Sequence, residues 1–352
     1  MNNKYKSIFA EIKEVHKNAA PVSSRTRNSD ILIVDGTNNY IRVFLVVPTL
    51  TENGEHCGGI SGFLTTIGYA VKLLKPTRVI VVFDGKGGSQ RRRKLYPDYK
   101  NKSKVTMRVN RAYEEMSNPE DERKAMMHQM SVLVNDFLDC LPVSVIAVDN
   151  IEADDAIAYI ATSVYNKPEN KITIMSADRD FLQLVNDRVN VWSPIKKKLY
   201  STMDVVNQYG IHPTNFVYYR TLTGDTSDNI PGIKGIAIKT AIKRFPMITE
   251  STETSVDKIE TFAKDKINES KCYADVVSNI DTVKLNYKLM QLKEPDFSPT
   301  LQMGITDALG RDYSLNKFQF IQRLTQHGMH TAIPNYHLWL QEVFYPLDCL
   351  SK

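Results

Sequence analysis

Carboxylates at the ends of apolar runs are the residues of this sequence best placed to do chemistry. Asp35 follows the run 31–34, Asp84 follows 79–83, and Asp178 and Asp180 follow 172–175. Glu152, Asp154 and Asp155 form an E-x-D-D after the run 143–148, and Asp225 and Asp228 make a fifth cluster. Carboxylates crowded into one pocket stay ionised only beside a compensating cation, and otherwise share a proton. If folding gathers these nine, the pocket requires cations, and the chemistry it suits is two-metal phosphoryl transfer.

Taken singly, the clusters have simpler explanations. An acidic E-x-D-D at the head of a helix also compensates the helix dipole and its free N–H groups. Four clusters at strand ends are harder to explain as caps. If the chain remains extended through Ser176-Ala-Asp178-Arg-Asp180, both aspartates point to one side. Between Arg91 and Lys104 lie seven basic residues and one acidic, with Tyr96 and Tyr99 among them. Such a run is ordinarily a solvated loop, but this one starts just after the Asp84 cluster.

The elements that must position these groups alternate. Residues 31–34 and 79–83 read as buried strands separated by a helix over 61–74, which implies a right-handed crossover and a parallel pair. Asp35 and Asp84 then share the carboxyl edge of one sheet, where open α/β folds place ligands. Asp154 and Asp155 fall in the first turn of the next helix. Further on, Gly232 and Gly235 allow a tight hairpin with exposed N–H groups. A helix from about Ala237 follows, with Lys239, Lys243 and Arg244. That combination grips a phosphate backbone without reading bases.

The 352 residues, 42% hydrophobic and 24% charged with net charge +5, describe a globular chain whose charge is unevenly spread. Cys57, Cys140, Cys272 and Cys349 are scattered, which argues against a disulfide framework or thiolate zinc site. No apolar run reaches membrane-spanning length, and the expected location is cytoplasmic. Residues 1–29 form an extension in which Ile8, Phe9, Ile12 and Val15 have helical spacing before a Pro- and Ser-containing linker. Residues 250–352 read as helical, with Phe318, Phe320, Tyr336, Trp339 and Phe344 assigned to a core.

These motifs together resemble the 5′ nuclease superfamily of flap endonucleases and 5′→3′ exonucleases, most closely its stand-alone phage members. The matching segments are Asp35, Asp84, Arg92-x-x-x-Tyr96-x-x-Tyr99-Lys100, Glu152-Ala-Asp154-Asp155, Ser176-Ala-Asp178-Arg-Asp180, and Gly224-Asp225-x-x-Asp228-Asn-Ile-x-Gly232-Ile-x-Gly235. The resemblance implies an α/β, PIN-like core with a mostly parallel sheet flanked by helices over 30–210, including a basic arch over 91–135. A helix-hairpin-helix and C-terminal helical region over 211–352 would follow. It implies two Mg2+ or Mn2+ ions. One would be held by Asp35, Asp84, Glu152 and Asp154, and the other by Asp178, Asp180 and Asp225, with Asp155 and Asp228 supporting. A monovalent cation at the hairpin is a further expectation.

By the same resemblance Lys100 and Arg92 contact the reacting phosphate and Tyr99, in the run with Tyr96, stacks a base. Arg220, where phage relatives often carry lysine, supports the phosphate, while Gly232, Gly235, Lys239 and Lys243 hold the DNA backbone. The implied activity is a metal-dependent, structure-specific 5′ nuclease in replication and repair. Its substrates would be DNA with 5′ flaps, nicks or 5′ ends, and RNA/DNA hybrids of primers. The chain would be a monomer with no membrane contact, and replication proteins are expected partners. The pattern departs at Ala237, where the family usually has glycine. The alternative, a catalytically weak junction-binding accessory protein, would show lost carboxylates, and none is missing.

Overall fold

A computed structural model of the chain describes residues 26–101, 116–295 and 297–351. Strand β1 (Asp30–Asp35) carries Ile31, Leu32, Ile33 and Val34, all buried, as a strand covered on both faces requires. It ends where the Asp35 carboxylate accepts the Asn38 N–H at 3.1 Å, capping helix α1 (Gly36–Val46). A glycine is needed at that junction, because a Cβ on Gly36 would lie 2.8 Å from the Val82 carbonyl oxygen. Helix α2 (Gly58–Leu74) returns the chain and ends at Lys75 in the left-handed region. It feeds β2 (Arg78–Val82), which pairs parallel with β1.

After helices α3 (Gln90–Leu95) and α4 (Pro119–Val132) come strand β3 (Ser144–Ile146) and helix α5 (Ala153–Tyr159). Strands β4 (Lys171–Met175), β5 (Val189–Ser193) and β6 (Lys198–Tyr200) complete a six-stranded sheet. Its order is β3-β2-β1-β4-β5-β6, parallel throughout except for β6. The chain builds outward from β1 through β2 to β3, then crosses back to place β4 on β1's other side. The carboxyl ends of β1 and β4 therefore flank the point where strand order reverses, which is where such sheets open a crevice.

Alternate residues of each strand feed separate cores on the two faces. Ile31, Ile33, Ile80 and Val82 face α5 and the helical region that follows; Leu32, Val34, Val79 and Val81 face α1, α2 and the end of the chain. Helices α6 (Thr202–Tyr209), α7 (Phe216–Thr223) and α8 (Ile238–Arg244) lead into α9 (Val256–Asp265), α10 (Lys271–Ser278) and α11 (Ile280–Met290). Helix α11 packs on α7, and Asn286 locks them by donating to the carbonyls of Thr221 at 2.9 Å and Pro231 at 2.7 Å.

Among the aromatic residues of the last hundred, Phe320 and Phe344 are fully buried, and Tyr336 and Trp339 pack half-buried against the same core. Phe318 differs from expectation: it is 80% exposed, on the outer face of helix Lys317–Gln326. No helix among the described residues is long and apolar enough to cross a membrane. The extension up to Arg25 and the middle of the expected arch, 102–115, lie outside the described residues.

Candidate active site

A cleft of about 530 Å3 opens at the carboxyl edge of the sheet, lined by Asp35, Asp84, Asp154, Asp178, Asp228 and Lys100, with Ile41, Leu45 and Ile195 on its apolar wall. Neighbouring elements fix each carboxylate. Asp35 accepts from the Ser176 hydroxyl at 2.7 Å, and that hydroxyl accepts the Asp178 N–H at 3.0 Å, which ties the ends of β1 and β4 together. Asp84 caps α5 by accepting the Ala153 N–H at 2.7 Å, while its own N–H donates to Thr37. Asp154 sits in the first turn of α5.

Crowding shows in the acidities. Burial pushes the Asp35 carboxyl up to about 7; the Ser176 and Asn38 hydrogen bonds oppose the rise, and the charges of Asp178 and Asp84 add to it. Asp154 is raised well above the carboxylate range by burial and by Asp35 and Asp178, against a weaker pull from Lys100 and Arg92. Among the described residues no three acidic, histidine or cysteine side chains are already gathered at ion-binding spacing. The carboxylates line the walls of the cleft.

Behind this cleft lies a second, charge-paired layer. Buried Arg92 donates to both oxygens of Asp155, at 2.7 and 2.8 Å, to Glu152, and to the Leu289 carbonyl at 2.8 Å. This corrects the expected role of Arg92. Each of its three nitrogens donates within the protein, and it orders carboxylates instead of facing a phosphate. Asp155 is correspondingly engaged by the guanidinium. Burial would raise Glu152, but Arg92 and Lys100 hold it below the usual range.

Tyr99 is likewise corrected. It is only 2% exposed, so it cannot stack on a base; its hydroxyl lies 3.3 Å from carboxylate oxygens of both Glu152 and Asp228. Tyr96 is half-buried against the core. Lys100 does reach the cleft. It pairs with Glu152 at 2.6 Å, and although burial works against its charge, Tyr99, Glu152, Asp154 and Asp228 keep its ammonium protonated well beyond the ordinary lysine range.

Asp178 and Asp180 do not point together. The chain turns after Ser176, Asp178 accepts the Asp180 N–H at 2.8 Å, and Asp180 opens a short 3-10 turn (Asp180–Leu184). Asp178 is left in the cleft while Asp180 pairs with Arg220 at 2.6 Å. The same guanidinium holds Asp225. The two acids respond differently: burial and Asp178 carry Asp180 up to about 7 despite Arg220. For Asp225 burial is outweighed by the Ser227 hydroxyl and Arg220, which hold its pKa below the usual carboxylate range.

In the hairpin, Asp225 and Ile230 exchange backbone hydrogen bonds at 2.9 and 2.7 Å. Gly232 is packed so closely that a Cβ would lie 2.1 Å from the Thr223 carbonyl oxygen, and Gly235 has φ +82°. Ala237 has φ −108°, a conformation open to any residue, so the missing glycine costs no strain there. Lys239 and Lys243 are exposed one turn apart on α8, outside the cleft lining.

Arg42 lines the cleft, donates to Asn39 at 2.7 Å and was not singled out from sequence. Its spacing carried the signal, because Asn38 and Arg42 lie three and seven residues after Asp35, on one face of α1.

Comparison with known proteins agrees with this layout. The 5′-3′ exonuclease N-terminal resolvase-like domain matches residues 30–210, and the 5′-3′ exonuclease C-terminal SAM fold matches 211–304. A 5′-3′ exonuclease of Aquifex aeolicus is 28% identical over 263 residues, 74% of this chain and 81% of that protein. Thermostable DNA polymerase I of Thermus aquaticus is 31% identical over 268 residues, 75% of this chain but 28% of the polymerase. The fold is that of the bacteriophage T5 D15 protein crystallised with metal ions, with TM-score 0.58 at 20% identity over 86% of this chain and 99% of that one. With both halves matched in order and the acidic cleft at the expected sheet edge, the chain belongs to the 5′-3′ exonuclease family.

Proposed function

We propose that this 5′ nuclease hydrolyses phosphodiester bonds at DNA 5′ ends and flaps with divalent cations held in the strand-end cleft. The observation that carries the reading is the meeting of Asp35, Asp84, Asp154 and Asp178 in one cleft beside Lys100. Burial and the neighbouring carboxylates raise the pKa of Asp35 and of Asp154, which marks a site short of positive charge. The donor set is hard oxygen alone, which fits Mg2+ or Mn2+ better than a thiolate-loving ion.

Asp35, Asp84, Asp154 and Asp178 would hold the cations, with Glu152 and Asp228 at the margins. A bound cation of this class lowers the pKa of its water and stabilises the leaving oxygen. The chain's own groups do the rest. Ser176 and Asn38 fix the direction of the Asp35 carboxylate, and Asp84 is fixed by Ala153 and Thr37. Lys100 presents a permanent ammonium to an incoming phosphate, and Ile41, Leu45 and Ile195 keep one wall of the cleft apolar. The hairpin and exposed Lys239 and Lys243 bind backbone phosphates without sequence preference. The related T5 D15 protein has been crystallised with metal ions, and the T5 D15 flap endonuclease as a pseudo-enzyme-product complex with DNA and metal ions.

The test is a 5′-labelled flap duplex incubated with the protein in Mg2+ and in excess chelator. Release of the flap strand in Mg2+ alone supports the reading; equal release in both, or none in either Mg2+ or Mn2+, overturns it.

A further inference from the structure

We infer that Arg220 sets how many divalent cations this site takes: while its guanidinium spans Asp180 and Asp225, that pair is closed to a second cation, which enters only when Arg220 withdraws. The inference rests on the cation reading above and concerns the acids behind the cleft. Those acids are shielded from the cleft in a way that Asp178, two residues before Asp180, is not. Asp178 lines the cleft; Asp180 and Asp225 do not.

Every donor nitrogen of Arg220 is in use. Nε donates to Asp180 at 2.6 Å, Nη2 donates to Asp225, and Nη1 donates to the Gly224 carbonyl at 3.3 Å. Arg220 is 4% exposed, so the pairing is barely screened by solvent. A guanidinium cannot give up its charge, and its planar fork satisfies two carboxylates at once. A lysine at this position would be a single mobile ammonium, easier to displace.

The clamp also has a fixed base. Arg220 rises from α7, whose Phe216, Val217, Tyr219 and Leu222 are buried and whose Thr221 carbonyl is held by Asn286. By contrast, among the described residues no arginine or lysine forms an ion pair with Asp35, Asp84, Asp154 or Asp178; Lys100 pairs with Glu152. One group of acids needs an external cation, and the other already has an internal one.

The experiment counts Mn2+ bound by the full chain without DNA, from the loss of free-ion electron paramagnetic resonance signal in a titration. One tight Mn2+ is expected on the unaltered chain and two on Arg220→Met. Because Arg220→Met leaves two acids uncompensated and is able to loosen the fold, Asp180→Asn is titrated in parallel. It should leave the affinity of the single tight ion within about twofold, against the ~10- to 100-fold loss typical when the immediate support of a metal ligand is removed. Two tight ions on the unaltered chain, or a tenfold loss in Asp180→Asn, would overturn the inference alone. No tight ion on any form would overturn the cation reading and this inference with it.

Discussion

At the scale of single residues, the site divides by what compensates each carboxylate. Asp35 has hydrogen bonds but no cation of its own, and its acidity shows the cost. The raised value fixes the sign of a pH dependence. The folded pKa of about 7 lies above the unfolded value near 3.9, so the folded chain holds the extra proton between them. Asp35's contribution to stability is therefore fully present below about pH 4 and is lost as pH rises through about 7. Glu152 and Asp225, shifted downward, act oppositely and lose their contribution only at lower pH. Melting in chelator should show a Tm that falls between about pH 4 and pH 7, with Mn2+ restoring most at the alkaline end. A Tm rising across that interval would count against the crowded-acid account. Arg92→Ala should destabilise the chain by about 3–5 kcal/mol, because it strands two buried carboxylates. Urea titration would read the loss, and a change under 1 kcal/mol would show the pairing to be marginal.

Elements carried most of what the sequence could say. Runs of β-branched residues ending in Asp located β1, β2 and β4, and their parallel pairing follows from the intervening helices. The start of α2 was read three residues late, since Cys57 makes no side-chain cap and Gly58-Gly59 resembles a loop. The expectation that Asp178 and Asp180 share a side failed because the chain leaves the extended conformation once β4 ends. Tyr99 and Arg92 looked like substrate contacts because sequence gives neighbours along the chain only. Their actual partners, Glu152 at a separation of 53 and Leu289 at 197, exist only in the fold.

The hairpin and α8 support an element-scale prediction. Lys239→Ala and Lys243→Ala should each weaken duplex binding similarly for all sequences and lower the slope of log K against log salt by about one. An unchanged slope would remove α8 from the interface. Gly232→Ala should disrupt the turn itself, since its Cβ would press into backbone and not a movable side chain. Loss of both DNA binding and thermal stability is expected, whereas stability equal to that of the parent would contradict the packing described.

For the whole molecule, the chain joins a sheet-edge acid site to a helical body through buried cations. Arg92 connects α3 to α11, and Arg220 connects α7 to the turn after β4. Each thus fixes the helical body relative to the carboxylates at the sheet edge. The last helices fold back onto the sheet's other face through Phe320 and Phe344, burying a core on both sides of β1 and leaving the crevice at its carboxyl end open.

The most direct test of the central claim pairs binding and cleavage of one 5′-flap DNA by the unaltered chain and by Asp35→Asn. The account predicts that the two bind the flap within a few-fold in chelator. In saturating Mg2+ the variant's single-turnover cleavage should fall by ~10²–10³-fold, the scale of losing a preorganised electrostatic group. Cleavage by Asp35→Asn at the unaltered rate would contradict it, because the residue at the centre of the strand-end cleft would then be dispensable for hydrolysis.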